Sequence, residues 1–133
     1  MANNILPVGI IGLGMVGDPI RRWFQEMKGY KRSVDLFCFD VDTKKGFTDD
    51  INQADVIFVA VPTPSPQGGG SDLSIIHAAV KTIKDGKTVI IKSTVPPGTV
   101  ETLQKKYPKK RFLFSTEFLT ESQVWTDFMR PDR

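Results

Sequence analysis

The chain has 133 residues, 40% of them apolar and 25% charged, the ordinary make-up of a single folded domain with its own core. Eighteen Lys and Arg against fifteen Asp and Glu leave +3, too small an excess to require nucleic acid or an anionic membrane as partner. One cysteine excludes an internal disulfide framework and a multi-cysteine zinc site. The thiol-poor composition suits a reducing cytoplasm, and no metal site is expected.

The most apolar stretch, Ile5 to Val16, is interrupted by Pro7, Gly9, Gly12 and Gly14 and has no basic residues before it. It therefore fails as a membrane span and as a signal peptide. Its first part, Ile5–Leu13, reads as a strand apolar on both faces, as happens when helices cover both sides of a parallel sheet. Pro19–Lys28 follows as a helix, with Ile20, Trp23, Phe24 and Met27 facing the core. Val34–Asp40 is the second strand. The connection to the third, Asp55–Val61, has room for one turn of helix, around Thr48–Gln53. Pro62–Ser71 (PTPSPQGGGS) reads as loop.

Asp72–Lys84 is the clearest helix, capped by Ser71 or Asp72, with Ile75, Ile76, Ala79, Val80 and Ile83 on one face. Thr88–Thr94 gives a fourth strand, Gly98–Lys106 a helix opened by Pro96-Pro97, Arg111–Ser115 a fifth strand, and Glu121–Met129 a last helix. This alternation predicts an α/β domain with a doubly wound, mainly parallel sheet and helices on both faces.

Gly12-Leu13-Gly14-Met15-Val16-Gly17 is a G-x-G-x-x-G at the end of the first strand and the start of the first helix. In that context the first glycine permits a tight turn and the second lets a pyrophosphate approach the backbone. The third lets helix and strand pack closely, and the helix N-terminus favours the anion. Asp40 ends the second strand 23 positions past Gly17, close to the ~20-residue offset of an acid that hydrogen-bonds the adenosine ribose. Such an acid favours NAD over NADP, with Lys44 and Lys45 placed to soften the preference; Asp42 reads as a solvated turn acid. Val61 to Pro64, Ser93 to Thr99 and Glu117 to Glu121 all fall where strands end, so their hydroxyls and carboxylates should line one cleft. The reading is a Rossmann-type domain with NAD as cofactor.

GLGMVG, the aspartate of CFDVD, AVPTP followed by GGSDLS, KSTVPPGT and EFLTES occur in the order seen in the UDP-glucose/GDP-mannose dehydrogenase family, and the chain resembles that family's N-terminal NAD-binding domain. Members oxidise a nucleotide sugar at C6 twice, from alcohol to acid, with two NAD. The resemblance implies that the backbone from Gly12 to Gly17 holds the pyrophosphate, Asp40 the ribose, and Lys45 a position near the cofactor. Val61, Pro62, Thr63, Pro64 and Ser65 with Ser93 and Thr94 would line the nicotinamide side, and Glu121 would contact NAD. Thr94 and Glu117 would orient or activate a water, while Glu117, Phe118 and Leu119 would meet the sugar nucleotide. The pattern departs from the family at Asp18, where an apolar residue is usual, at Ser115-Thr116 in place of Asn-Pro, at Thr120 in place of an arginine, and in the short connection after the second strand.

The family's nucleophilic cysteine lies in a later segment, and Cys38, inside an apolar strand, reads as a small buried hydrophobe. The expectation is thus a truncated NAD-binding domain spanning 1–133, without its central and C-terminal substrate domains and inactive alone. Alternatives are a 6-phosphogluconate or 3-hydroxyacid dehydrogenase-like domain, and a stand-alone NAD-binding sensor module. His77 reads as a surface or boundary residue, and Lys105, Lys106, Lys109, Lys110 and Arg111 as a solvated turn. Trp125 and Phe128 would form an exposed apolar patch that favours a homodimer.

Overall fold

The computed structural model describes residues 6–63 and 72–114. Five parallel strands form one sheet: β1 (Val8–Ile11), β2 (Leu36–Phe39), β3 (Val56–Val59), β4 (Thr88–Ile91) and β5 (Arg111–Phe114), in the spatial order β2-β1-β3-β4-β5. The helices are α1 (Gly17–Met27), α2 (Ser74–Lys81) and α3 (Thr99–Lys106), with single 3-10 turns at Thr43–Lys45 and Ile51–Gln53. The expected helix over Glu121–Met129, and Trp125 and Phe128, lie outside the described residues.

Two cores form because successive strand side chains point to opposite faces. Val8 and Ile10, Leu36 and Cys38, Val56 and Phe58, and Ile90 pack with Ile20 and Phe24 of α1. Ile11, Phe37, Ile57 and Val59, Val89 and Ile91, and Phe112 pack with Ile76, Ala79 and Val80 of α2 and Leu103 of α3. Burial of each such side chain stabilises the fold by about 1.5–3 kcal/mol before entropy is counted. The helix faces are narrower than expected. Met27 is 72% exposed and Ile75 38%, so neither belongs to the core, and α2 turns Ile76, Ala79 and Val80 inward instead.

After β2 the chain makes its first 3-10 turn, where Asp42 accepts from the Lys44 N–H (3.2 Å) and Gly46 ends the turn at φ 79°. The chain then returns along the open edge of β2, with one antiparallel bridge, Phe39 to Thr48. Asp40 N–H donates to Phe47 O (2.9 Å) and Asp49 N–H to Cys38 O (3.0 Å). Thr48 is therefore extended, not helical, and the second 3-10 turn is capped by Asp50 at Asn52 N (3.0 Å).

Asp49 fastens this strap. Its carboxylate accepts from Arg32 Nε (2.8 Å), Ser33 Oγ (3.1 Å) and the buried Cys38 N–H (3.0 Å), while Arg32 lies 4.9 Å over the Phe47 ring. Burial pushes the Asp49 carboxyl up, but the Arg32 hydrogen bond, the Cys38 N–H, the Ser33 hydroxyl and the guanidinium charge outweigh it and hold the group below its ordinary value of 3.8. A depressed folded value adds stability above the unfolded value, and that stability is lost as pH falls through the folded value. Asp49→Ala should cost about 1–3 kcal/mol at pH 7 by stranding the Cys38 N–H and Arg32. In urea melts the gap to wild type should narrow below pH 4; a gap constant with pH would contradict this.

The last basic turn is less solvated than expected. Lys110 is 8% exposed, with its ammonium 2.9 Å from Asp85 Oδ1 and 5.2 Å from the Tyr107 ring centre. His77 is a boundary residue as expected, its Nδ1 3.5 Å from the Tyr107 hydroxyl.

Candidate functional site

The strand order places β1 between β2 and β3, so connections leave the carboxyl ends of β1 and β3 in opposite directions and open a crevice there. A cleft of about 690 Å³ occupies this place. One side is the glycine loop after β1, the floor is Ile11 and Ala60, the far wall is Val61, Pro62, Thr63, Ser93 and Thr94, and Asp40, Val41 and Lys45 close one end. Pro64, Ser65, Glu117, Phe118, Leu119 and Glu121 lie outside the described residues.

The three loop glycines have three separate reasons. Gly12 has φ 95°, and a Cβ on it would sit 2.7 Å from Ala60 O, so the turn and the close strand both require glycine. A Cβ on Gly17 would meet Gly12 O at 1.7 Å, which makes Gly17 the point where α1 closes onto the loop. Gly14 has neither constraint: its φ is outside the left-handed region and nothing lies within 4 Å of a Cβ. Open space at the middle glycine, beside a helix start that no side chain caps, is what a bound diphosphate needs. The residues present therefore fit the dinucleotide expected from the sequence.

The loop's side chains divide. Leu13 is buried in the α1-side core, so only its backbone faces Asp40, whereas Met15 is 96% exposed on the cleft rim and Val16 is also exposed. Asp18 ion-pairs with Arg21 (2.6 Å) within the first turn of α1 and does not line the cleft. Its charge is thus neutralised away from the site, and it favours the helix dipole.

Asp40 is 8% exposed. Its Oδ2 accepts from the Leu13 N–H (2.8 Å) and its Oδ1 from the Asp42 N–H (2.9 Å). Lys45 Nζ lies 3.5 Å from Oδ2 and 3.4 Å from Leu13 O. Burial pushes this carboxyl up, but the two N–H groups and the Lys45 ammonium hold it below its ordinary value, and it is ionised at neutral pH. The acid expected for the ribose also pins the glycine loop to the end of β2. Asp42, exposed and capping the 3-10 turn, is the turn acid it was read to be.

The far wall is cross-tied. Thr63 Oγ1 donates to Thr94 O (2.8 Å) and Ser93 Oγ to Val61 O (2.7 Å). Ser93 is buried and its proton is committed, so toward the cleft its hydroxyl can only accept. Thr94 is exposed at the cleft. Sequence reasoning missed Val41, Ile75, Ala78 and Thr82, which also line the cleft. The signal lay in the spacing of 75, 78 and 82, a second stripe of α2 beside its core face. Cys38 is fully buried, and burial pushes its thiol up to about 12, so it is no nucleophile. Among the described residues no group of three or more His, Cys, Asp or Glu is placed to hold a metal ion, and no helix is long and apolar enough to cross a membrane.

Fold and cleft together define an α/β dinucleotide-binding domain. The sequence pattern of the UDP-glucose/GDP-mannose dehydrogenase family, NAD binding domain, matches residues 42–133. The UDP-glucose 6-dehydrogenase of Rhizobium meliloti is 40% identical over 102 residues, covering 65% of this chain and 23% of that protein. The chain spans under a quarter of the length of such relatives. Among solved structures, a UDP-glucose dehydrogenase from Pyrobaculum islandicum superposes with a TM-score of 0.62 at 21% identity, over 83% of this chain and 35% of that one. A 3-hydroxyisobutyrate dehydrogenase from Mycobacterium tuberculosis superposes with 0.61 at 13% identity, over 83% of this chain and 40% of that one. The fold alone therefore does not separate the two enzyme classes weighed from the sequence, whereas the sequence match does. The chain belongs to the UDP-glucose/GDP-mannose dehydrogenase family and is its NAD-binding domain.

Proposed function

We propose that this domain is the coenzyme half of a nucleotide-sugar 6-dehydrogenase, which oxidises the C6 alcohol of a nucleotide sugar to a carboxylate. The observation that carries this reading is the far wall of the cleft. Its VPT and KST segments fall within the family match and are tied face to face by the Thr63–Thr94 and Ser93–Val61 hydrogen bonds. NAD, when bound, supplies the hydride acceptor for each oxidation.

In this reading the backbone of Gly12 to Gly17 receives the pyrophosphate, Asp40 and Lys45 meet the adenosine ribose end, and Val61 to Ser65 with Ser93 flank the nicotinamide. Thr94, exposed at the cleft, orients the water that the second oxidation consumes. Glu117 shares that task, Glu121 contacts the coenzyme, and Phe118 and Leu119 contact the sugar nucleotide. The thioester-forming cysteine is supplied from outside these 133 residues, because Cys38 is sealed within the sheet. A cytoplasmic setting and a homodimer belong to the same reading, supported by the thiol-poor composition and by the apolar Trp125 and Phe128.

Calorimetric titration of the purified chain with NAD should give micromolar or weaker binding, and UDP-glucose or GDP-mannose with NAD should yield no rise in absorbance at the NADH band. Absence of NAD binding would overturn the coenzyme role. Turnover by the chain alone would overturn the division of labour between halves.

A further inference from the structure

We infer that the turn between α3 and β5, together with the turn before β4, forms a second anion site, suited to a small phosphate-bearing ligand of diphosphate type. A pocket of about 310 Å³ opens there, and Lys87, Lys109, Lys110 and Arg111 line it with no carboxylate among the lining residues. Lys87 directly precedes β4 and Arg111 opens β5. The pocket therefore lies at the amino ends of these parallel strands, the opposite edge of the sheet from the coenzyme cleft. The site stands or falls independently of what that cleft binds.

Backbone hydrogen bonds hold these charges together. Gly86 N–H donates to Lys109 O (2.8 Å) and Arg111 N–H to Lys87 O (3.0 Å), which ties the two turns side by side. Gln104 of α3 braces the second turn: its Nε2 donates to Lys110 O (2.6 Å) and its Oε1 accepts from Phe112 N–H (2.9 Å). Lys110 is the buried member, with its ammonium 2.9 Å from Asp85. Lys87 has a long pair, 3.9 Å, with Asp55. Lys109 and Arg111 are exposed, and among the described residues neither pairs with a carboxylate. Four cations thus share two acids, and a pocket lined by one sign of charge concentrates counter-ions. Nor are these cations needed at the carbonyl end of α3, where Lys105 and Lys106 stand outside the pocket. A guanidinium forks onto two phosphate oxygens while ammonium groups act as point charges beside it, so Arg111 with Lys109 and Lys87 matches the several oxygens of a diphosphate.

The test is titration of the whole chain with pyrophosphate, read by calorimetry and by backbone amide chemical shifts, with urea melts to confirm folding. In wild type the shifts should centre on Gly86, Lys109 and Arg111, and affinity should fall as salt is raised. Lys109→Gln and Arg111→Gln, both at exposed positions, should each weaken binding about tenfold, the loss expected for one charge-assisted contact. Asp85→Asn, which releases Lys110 and removes a negative charge, should tighten it. Lys31→Gln, an exposed lysine beside the far edge strand β2, should change it by less than about twofold. Absence of binding at millimolar pyrophosphate would overturn the inference. So would shifts confined to Gly12–Gly17, which would send the anion to the coenzyme cleft, or a loss in Lys31→Gln equal to that in Arg111→Gln, which would reduce the effect to net charge.

Discussion

Gly17→Ala should be among the most damaging single-methyl changes in the chain, costing about 3 kcal/mol or more, at the upper end for overpacking. The added Cβ would lie 1.7 Å from Gly12 O and 2.8 Å from the Gly12 carbonyl carbon. Both are backbone atoms, so no rotamer change relieves the clash, and α1 must lift away from the loop. Because α1 carries the buried Ile20 and Phe24, lifting it also loosens the core on that face. NAD binding should fall with the fold. Gly14→Ala is the matched control: with an ordinary φ and nothing within 4 Å, it should shift stability by no more than about 0.5 kcal/mol. Its methyl would enter the space reserved for the diphosphate, so NAD affinity should drop about 10- to 100-fold, equivalent to about 1.4–2.8 kcal/mol. Urea melts and NAD titrations of the two variants check both halves. A stable Gly17→Ala would contradict the packing, and wild-type affinity in Gly14→Ala would move the diphosphate elsewhere.

The sheet was legible because each strand is apolar on both faces, a pattern that parallel burial alone demands, and every predicted strand has its counterpart. The ends were less so. Thr88–Thr94 shortens to Thr88–Ile91 because only those residues sit in the ladder, and Ser93 and Thr94 beyond it form the cleft wall. Asp72–Lys84 shortens to Ser74–Lys81. The N-cap is Leu73, with no side-chain cap; Asp72, one residue before it, accepts from the Ser74 N–H at 2.9 Å. At the far end, the side chain of Asn52 donates to Thr82 O (2.8 Å) and accepts from Lys84 N–H (2.9 Å). That long-range clamp leaves no trace in local sequence.

The connection after β2 was misread for a different reason. The length of the connection left room for one turn of helix around Thr48–Gln53; a 3-10 turn forms at Ile51–Gln53, but the exposed edge of β2 offered backbone partners ahead of it, and Phe47 to Asp49 took them. The start and stop signals of the missed 3-10 turn, Asp42 and Gly46, were nevertheless visible in the sequence. Of the site, the glycine loop and Asp40 could be found from spacing. The engagement of both Asp40 oxygens by backbone N–H groups could not, since it depends on how closely loop and strand end approach.

That engagement gives the second large expected effect. If Asp40 served only a ribose, replacing it would weaken coenzyme binding and leave the empty domain as stable as before. The geometry forecasts otherwise. Asp40→Ala removes the acceptors of the Leu13 and Asp42 N–H groups at 2.8 and 2.9 Å and leaves Lys45 without its carboxylate. A stranded buried N–H alone costs about 1–3 kcal/mol, so the urea midpoint of the coenzyme-free chain should fall clearly. NAD affinity should fall at least about 100-fold, since the loop loses its anchor and the ribose its acceptor, each worth roughly a factor of ten. Asp40→Asn separates the two roles: its carbonyl oxygen can satisfy one of the two N–H groups and its amide nitrogen none. Its stability should lie between wild type and Asp40→Ala, and its attraction for Lys45 should be lost. An unchanged midpoint in the coenzyme-free Asp40→Ala chain would show that the loop holds its shape by itself and would return Asp40 to the single role read from the sequence.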